Sequence, residues 1–288
     1  MMKFRLLFLI FFLPFYIVGC GGGSVIEIDP DEDENEEVID PNDNLPLLKT
    51  LKIMTYNIHS CNPPSKPGVA DVDAIVKVIE SANADVVFLQ EVDKNTGRNK
   101  NYDDQAEVIA KKLGMNAQFF PARAQGIGHY GVAILTKYTI EDIKLHLLPK
   151  PENLEQRVMG TAVIKLTGKE RIVAAVTHLQ HNSQENRLDQ IKEVVNILKS
   201  EKRPVVLGAD FNELITTTDF FNVFDKDFTR TCLDYNCPYT FPAINPRSMI
   251  DYLAFKPSTA FQVNSHSTIN ETYASDHLPV VSVLTFKR

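Results

Sequence analysis

Four polar clusters interrupt otherwise apolar stretches of this chain: Thr55-Tyr56-Asn57, Gln90-Glu91-Val92-Asp93, Gly208-Ala209-Asp210-Phe211-Asn212 and Ser275-Asp276-His277. The first three follow or interrupt runs of the kind that makes a buried strand, at Leu51 to Met54, Val86 to Leu89 and Val205 to Leu207. Polar residues at strand ends are where a sheet-based protein gathers its chemistry. The side chains offered here are oxygen-rich and include no thiolate, which favours a hard cation such as Mg²⁺ or Mn²⁺ over structural zinc. Such an ion beside an imidazole is equipped to hydrolyse a phosphate ester.

Each residue type has a reason to be there. A carboxylate placed directly after an apolar run, as Glu91 is, costs too much to bury unpaired and must meet a cation or an arginine. Asn57 ends the preceding strand in the same way. His178 closes a third run, Ile172 to Val176, and an imidazole titrating near neutrality can protonate a leaving alkoxide. A helical pattern carrying Arg187 and Gln190 follows it. Asp210 and Asn212 alternate along the chain and so project to one side. Asp210 can accept a proton from water, and Asn212 can donate to a phosphoryl oxygen. Both also suit an Asx-turn. Asp251 sits inside the apolar stretch Met249 to Phe255, where a carboxylate bonded to one nitrogen of His277 would fix that imidazole's tautomer.

These residues need a sheet scaffold. Alternating or continuous apolar runs predict strands at Leu51–Asn57, Asp85–Glu91, Gly131–Thr136, Ile143–Leu148, Val158–Leu166, Arg171–Thr177, Pro204–Ala209, Met249–Phe255 and Val280–Phe286. Helical spacing predicts Val72–Ser81, Asp103–Leu113 and Gln184–Lys199. The run at Ala133–Leu135 and the next at Ile143–Leu148 are expected to pair antiparallel, while the first two helices connect strands as crossovers. Two mixed sheets packed face to face, with helices outside, satisfy both expectations.

The ends say where such a protein would work. Lys3 and Arg5 precede an apolar segment, Leu6 to Val18, that stops at Gly19-Cys20. It is shorter than the roughly 20 residues of a comfortable membrane span and has the form of a signal peptide over residues 1–19, with Cys20 as the lipidated residue. An uncleaved membrane anchor is the alternative. Residues 20–48 follow as a tether, in which ten carboxylates between Glu27 and Asp43 have no basic counterpart. The domain proper is expected at 49–288, long enough for one large core, and its 28 basic and 27 acidic side chains leave it near neutral. That balance neither demands nor excludes a nucleic-acid substrate. Cys232 and Cys237 flank a four-residue loop, and either a disulfide or two free thiols fits there. The chain is expected to act as a monomer, outside the cytoplasm, on a bacterial membrane.

In their order, Asn57, Gln90-Glu91, Thr177-His178-Leu179, Gly208-Ala209-Asp210-Phe211-Asn212, Ile250-Asp251-Tyr252 and Ser275-Asp276-His277 resemble the endonuclease/exonuclease/phosphatase superfamily, which includes the DNase I and exonuclease III type nucleases. The resemblance implies a four-layer α/β sandwich and Mg²⁺-dependent (or Mn²⁺-dependent) phosphoester hydrolysis by direct water attack. It places Asn57 and Glu91 on the metal with Asp276 nearby, His277 oriented by Asp251 as the activator of water, and His178 as general acid. Asp210 and Asn212 would orient the phosphate and the water. Glu155-Gln156-Arg157-Val158 looks like the family's arginine-bearing strand start, which would put Arg157 on the phosphate. Gly128-His129-Tyr130-Gly131 resembles the segment entering beside the site, so His129 and Tyr130, like Arg187, are candidate substrate contacts. Gln180 and Met249 depart from the residues common in the family. The superfamily's range leaves the substrate open. A nucleic acid is the first expectation and a phospholipid or phosphoinositide head group the second; a silent binding module comes last, because every acid–base and metal residue is present. The chain has no Trp and no obvious apolar loop, which counts against membrane contact.

Overall fold

Apolar side chains that alternate along short runs must find cover on one or both faces, and here they find it on both. The computed structural model describes residues 41–100, 103–234 and 236–288. Its strands are β1 (Thr50–Asn57), β2 (Val86–Lys94), β3 (Asn116–Gln125), β4 (Gly128–Thr136), β5 (Thr139–Leu147), β6 (Val158–Lys165), β7 (Arg171–His178), β8 (Val205–Asp210), β9 (Thr229–Arg230), β10 (Asp251–Lys256), β11 (Phe261–Thr268) and β12 (Val280–Phe286). The helices are α1 (Val72–Ala82), α2 (Gln105–Leu113), α3 (Gln184–Leu198) and α4 (Thr218–Phe224). One sheet has the order β11-β12-β1-β2-β4-β3 and the other β5-β6-β7-β8-β10-β9. Each holds one hydrogen-bonded parallel pair, β1 with β2 and β7 with β8, joined through α1 and α3, and α2, as expected, is a further crossover from β2 to β3, which run parallel with β4 between them.

Four layers follow from which face each residue presents. Ile53, Phe88 and Ile134 of the first sheet meet Ile164, Ile172, Val206 and Phe255 of the second. Met54, Val87 and Leu89 face the other way, onto Ile75 and Ile79 of α1 and Ile109 of α2. Val205, Leu207 and Ala209 likewise face Ile191 and Val194 of α3 and Phe220 and Phe224 of α4. Each fully buried aliphatic contributes about 1.5–3 kcal/mol. Gly208 shows how closely the sheets meet: a Cβ there would lie 2.3 Å from the Phe88 ring, so the motif glycine is required by packing. The three long helices start at side-chain caps, with Asp71, Asp104 and Ser183 accepting from the backbone N–H three residues on.

The expected sandwich is present, with differences in detail. β4 and β5 do not pair. β4 lies between β2 and β3, β5 pairs with β6, and the turn at Lys137-Tyr138 carries the chain from one sheet to the other. β3, β9, β11 and α4 were not foreseen. β3 carries Pro121 and β11 is largely polar, both tolerable because these are edge strands. Residues 41–48, assigned from sequence to the tether, are packed on the domain: Lys165 Nζ pairs with Asp43 at 3.0 Å and Thr167 Oγ1 donates to Pro46 O at 2.7 Å. The signal peptide, Cys20 and the rest of the tether lie outside the described residues. No helix among the described residues is long and apolar enough to cross a membrane.

Candidate active site

Both parallel pairs end at the same edge of the sandwich, and that edge gathers the polar clusters. Asn57 ends β1 opposite Gln90 of β2; His178 ends β7 opposite Asp210, the last residue of β8, which in turn faces Asp251, the first of β10. The Ser275–His277 turn is pinned to them, because Ser275 Oγ donates to Asn57 O at 2.7 Å and Ala243 N donates to Asp276 O at 2.6 Å.

Asp210 is the hub. Its Oδ2 accepts from Asn57 Nδ2 at 3.0 Å, and its Oδ1 accepts from the backbone N–H of Asn212 at 2.8 Å, so the Asx-turn suited to these residues forms and fixes the carboxylate. His178 Nε2 and His277 Nε2 approach the same Oδ2 to 3.4 and 3.8 Å. His277 Nδ1 lies 2.9 Å from Asp251 Oδ2, as the pairing of these two residues required. Phe241 covers the His277 ring at 4.8 Å between centroids.

Three turns around the site hold non-glycine residues in the left-handed region: Glu91 (φ 57°), Asn212 (φ 52°) and the run His59, Ser60, Cys61 (φ 47°, 52°, 56°). Such conformations are costly and cluster where a side chain must be re-aimed. Glu91 sits at a bulge in the pairing of β2 with β4, which lets the strand run on to Lys94 while its carboxylate comes within 3.2 Å of Asn57 Nδ2.

Hydrogen-bond directions bear on three sequence expectations. Asn57 donates its amide hydrogens to Asp210 and Glu91 and so orients two carboxylates, while its Oδ1 accepts from His59 N at 3.1 Å and keeps a second lone pair for a cation. Asn212 Nδ2 donates to Leu179 O at 3.1 Å and to His178 Nε2 at 3.0 Å, which leaves its oxygen, rather than its nitrogen, for a reactant. His178 therefore accepts at Nε2. Burial first, then the charges of Arg157 and His277, hold its pKa well below the ordinary value, which favours the neutral imidazole.

His277 behaves in the opposite way. Burial disfavours its cation, but Asp251, Asp210 and Asp276 outweigh burial and push it up to about 10, which favours the imidazolium. Asp210 is raised to about 7, chiefly by burial and by Asp251, with His277 and its two asparagine donors pulling the other way. Of the groups here, Asp210 is the one poised to take a proton near neutrality.

For a cation, the donor set fits a hard ion. Glu91 and Asp276 are only partly buried, and each engages one carboxylate oxygen within the protein, Glu91 with Asn57 and Asp276 with Ser275 at 3.4 Å. Asp210, Asp251 and His277 also converge to within 4.8 Å. The 2.9 Å bond between Asp251 and His277 already uses the facing atoms of that trio, so Glu91 and Asp276 are the better pair.

The remaining candidates divide sharply. Arg157 is 3% exposed, and its Nε and Nη1 have no hydrogen-bond partner, while Nη2 lies 3.4 Å from His181 Nδ1. Tyr130 is buried with its hydroxyl 3.4 Å from His178 Nδ1. Arg187 is not a substrate contact: its Nε donates to Glu213 at 2.8 Å and its Nη1 to the carbonyls of Gln180 and His181, both at 3.0 Å. His129 is exposed and, by strand alternation, faces away from Tyr130. Cys232 and Cys237 are joined by a disulfide. Sequence reasoning missed Phe241, His181 and Arg123, which become neighbours of the site only through the fold, and gave Glu155 no role beyond its place in the Arg157 motif. The loops at this edge also expose Leu214, Leu233 and Ile244 (47, 59 and 60%), contrary to the expected lack of apolar loops.

Solved structures share this architecture. An endonuclease/exonuclease/phosphatase from Beutenbergia cavernae superposes with a TM-score of 0.68 at 22% identity, covering 83% of this chain and 72% of that one. A mannosyl-6-phosphatase of Bacteroides thetaiotaomicron gives 0.66 at 15% identity over 82% and 100%. The human Nocturnin catalytic domain, with a bound sulfate anion, gives 0.64 at 20% over 83% and 94%. Among curated proteins, fission yeast Protein cwh43 is 29% identical over 141 residues, which is 46% of this chain but 14% of that much longer protein. The pattern that carries the site extends through residues 54–277, which match the Endonuclease/Exonuclease/phosphatase family, and the chain belongs to that family of phosphoester hydrolases.

Proposed function

We propose that this chain is a divalent-metal-dependent phosphodiesterase that hydrolyses nucleic acid outside the cytoplasm, carried there as a lipoprotein through Cys20. The observation that carries the reading is Arg157, buried with two guanidinium nitrogens lacking an acceptor and with its charge acting on His178, the neighbour of Asp210. An anion with two acceptor oxygens matches that gap. The N-terminal sequence supports the location.

Glu91 and Asp276 would hold Mg²⁺ or Mn²⁺, which supplies positive charge against the phosphate. Arg157 binds non-bridging oxygens of the scissile phosphate. The Asn212 oxygen and Asp210 accept the two hydrogens of a water, and Asp210 takes its proton as the water oxygen bonds to phosphorus and the ester oxygen departs. His277, kept cationic by Asp251, presents its Nε2 hydrogen to the charge that builds on the phosphoryl group. Asn57 keeps Asp210 aligned throughout.

The exposed Leu214, Leu233 and Ile244 favour a second reading, a lipid head-group phosphodiesterase. The full chain in detergent, given plasmid DNA, RNA or phospholipid vesicles with Mg²⁺ or Mn²⁺, decides. Nucleic-acid cleavage lost in EDTA and in Asp210→Asn is expected. Head-group release without such cleavage would replace the first reading with the second, and silence on all three would overturn both.

A further inference from the structure

Next to the catalytic cluster, the Tyr130 ring meets two guanidinium groups, Arg123 at 4.6 Å and Arg98 at 5.4 Å from the ring centroid. Arg98 is held by the protein, bonding Asp93 through Nε at 2.9 Å and through Nη2, and Ser60 Oγ through Nη2 at 2.9 Å. Arg123 is not. Its Nη1 reaches Gln125 and the carbonyl of Ala124, but its Nε is buried without a hydrogen bond. The carboxylate in reach is Glu155, whose Oε1 stands 3.5 Å from Arg123 Nε and whose Oε2 stands 3.5 Å from Arg157 Nη2. One carboxylate with a 42% exposed side chain is thus stretched between two arginines. Three buried guanidinium nitrogens, Arg123 Nε with Arg157 Nε and Nη1, still lack an acceptor.

Buried donors are normally satisfied, so three orphans on two adjacent arginines call for an acceptor-rich anion. Arg157 is assigned above to the scissile phosphate. Arg123 addresses the other oxygen of Glu155 from Arg157 and rests against the Tyr130 ring, whose hydroxyl reaches His178. We propose that Arg123, flanking Arg157, forms a second anion subsite that takes a phosphate adjacent to the scissile one, so that the preferred substrate is a polyphosphorylated ester such as an oligonucleotide. The inference rests on the phosphodiesterase reading and specifies its substrate. Phosphate brings more charge than Glu155 and fits the guanidinium fork, and Glu155 is exposed enough to swing aside.

The test compares kcat/KM of the full chain with Mg²⁺ on three thymidine dinucleotides: unphosphorylated, 5′-phosphorylated and 3′-phosphorylated. One phosphorylated form is expected to be preferred about tenfold, the worth of one charged hydrogen bond, and which form it is gives the direction of the strand. Arg123→Gln should bring that preference to within twofold, and Glu155→Gln should raise it. Equal turnover of all three by the wild type, or a preference that survives Arg123→Gln, overturns the subsite. If Arg123→Gln does not fold, Glu155→Gln carries the test, and an unchanged or weaker preference overturns it. If no dinucleotide is cleaved, the nuclease reading fails by itself. Calorimetric binding of thymidine 3′,5′-bisphosphate against thymidine 5′-monophosphate then decides: tenfold tighter bisphosphate binding lost in Arg123→Gln upholds the subsite, and equal affinity ends it.

Discussion

Two buried arginines stand near the end of β7, and their surroundings differ in one respect that matters. Arg157 is 3% and Arg187 9% exposed, so burial does not distinguish them. Around Arg187 the protein supplies Glu213 and two carbonyls, and Glu213 is itself held by Thr217 Oγ1 at 2.7 Å, a closed network that ties α3 to the loop after β8. Around Arg157 the network is left open. A buried cation that leaves no buried hydrogen without an acceptor, as Arg187 does, is spent on the fold, whereas one that still lacks acceptors is available to a ligand.

The largest effect expected at the open region is chemical. Asp210→Asn keeps the shape, turns one of the two accepting oxygens into a donor and removes the proton acceptor, and hydrolysis should fall about 10³-fold with the cooperative unfolding transition intact. Single-turnover rates check this, and a loss under tenfold would take Asp210 out of the base role. The arginines come next, in opposite currencies. Arg187→Met strands Glu213 and should cost about 3–5 kcal/mol in denaturant unfolding. Arg157→Met should change stability by less than about 1 kcal/mol, because little is satisfied there, while lowering kcat/KM by about 30–100-fold, the worth of a bidentate charged contact. Equal stability losses in the two variants would break the comparison.

The pH response sharpens it further. Because Asp210 must be unprotonated to act and its pKa is raised to about 7, kcat/KM should climb about tenfold per pH unit below that value and level off above it. Stability should run the other way. A carboxyl whose folded pKa exceeds its unfolded value is stabilising on the acid side and loses that contribution as pH rises from about 4 to about 7. His277, raised to about 10, then loses its own contribution between about 6.5 and 10. Melting midpoints of the wild type relative to Asp210→Asn should therefore worsen from pH 4 to pH 7, and a flat difference would contradict the raised carboxyl.

Much of this was legible in the sequence because it is local. Val86 to Leu89 and Val205 to Leu207 announce buried strands by composition alone, and the polar residue ending each is visible as a break in the pattern. The Asp251–His277 pair was legible for the same reason, a carboxylate inside an apolar run. What failed to show depends on partners distant in the chain. β3 hides behind Pro121 and polar residues that only an edge position permits, and with it Arg123. The direction of the Asn57 amide is set by Asp210, 153 residues away, and the charge states of His178 and His277 by which of them has carboxylates for neighbours.

The smallest predicted effects separate neighbours on one strand. Tyr130 and His129 share a motif in β4, but the pleat sends them to opposite faces, and only Tyr130 touches the site, through its hydroxyl on His178 Nδ1 and its ring beneath Arg123. Tyr130→Phe keeps the ring and removes one long hydrogen bond of 3.4 Å, so kcat/KM should drop three- to tenfold. His129→Ala should stay within twofold of wild type, since its exposed side chain bonds no residue of the cluster. A larger loss at His129 than at Tyr130 would mean that substrate approaches across the other face of β4, and it would move the proposed anion subsite away from Arg123 with it.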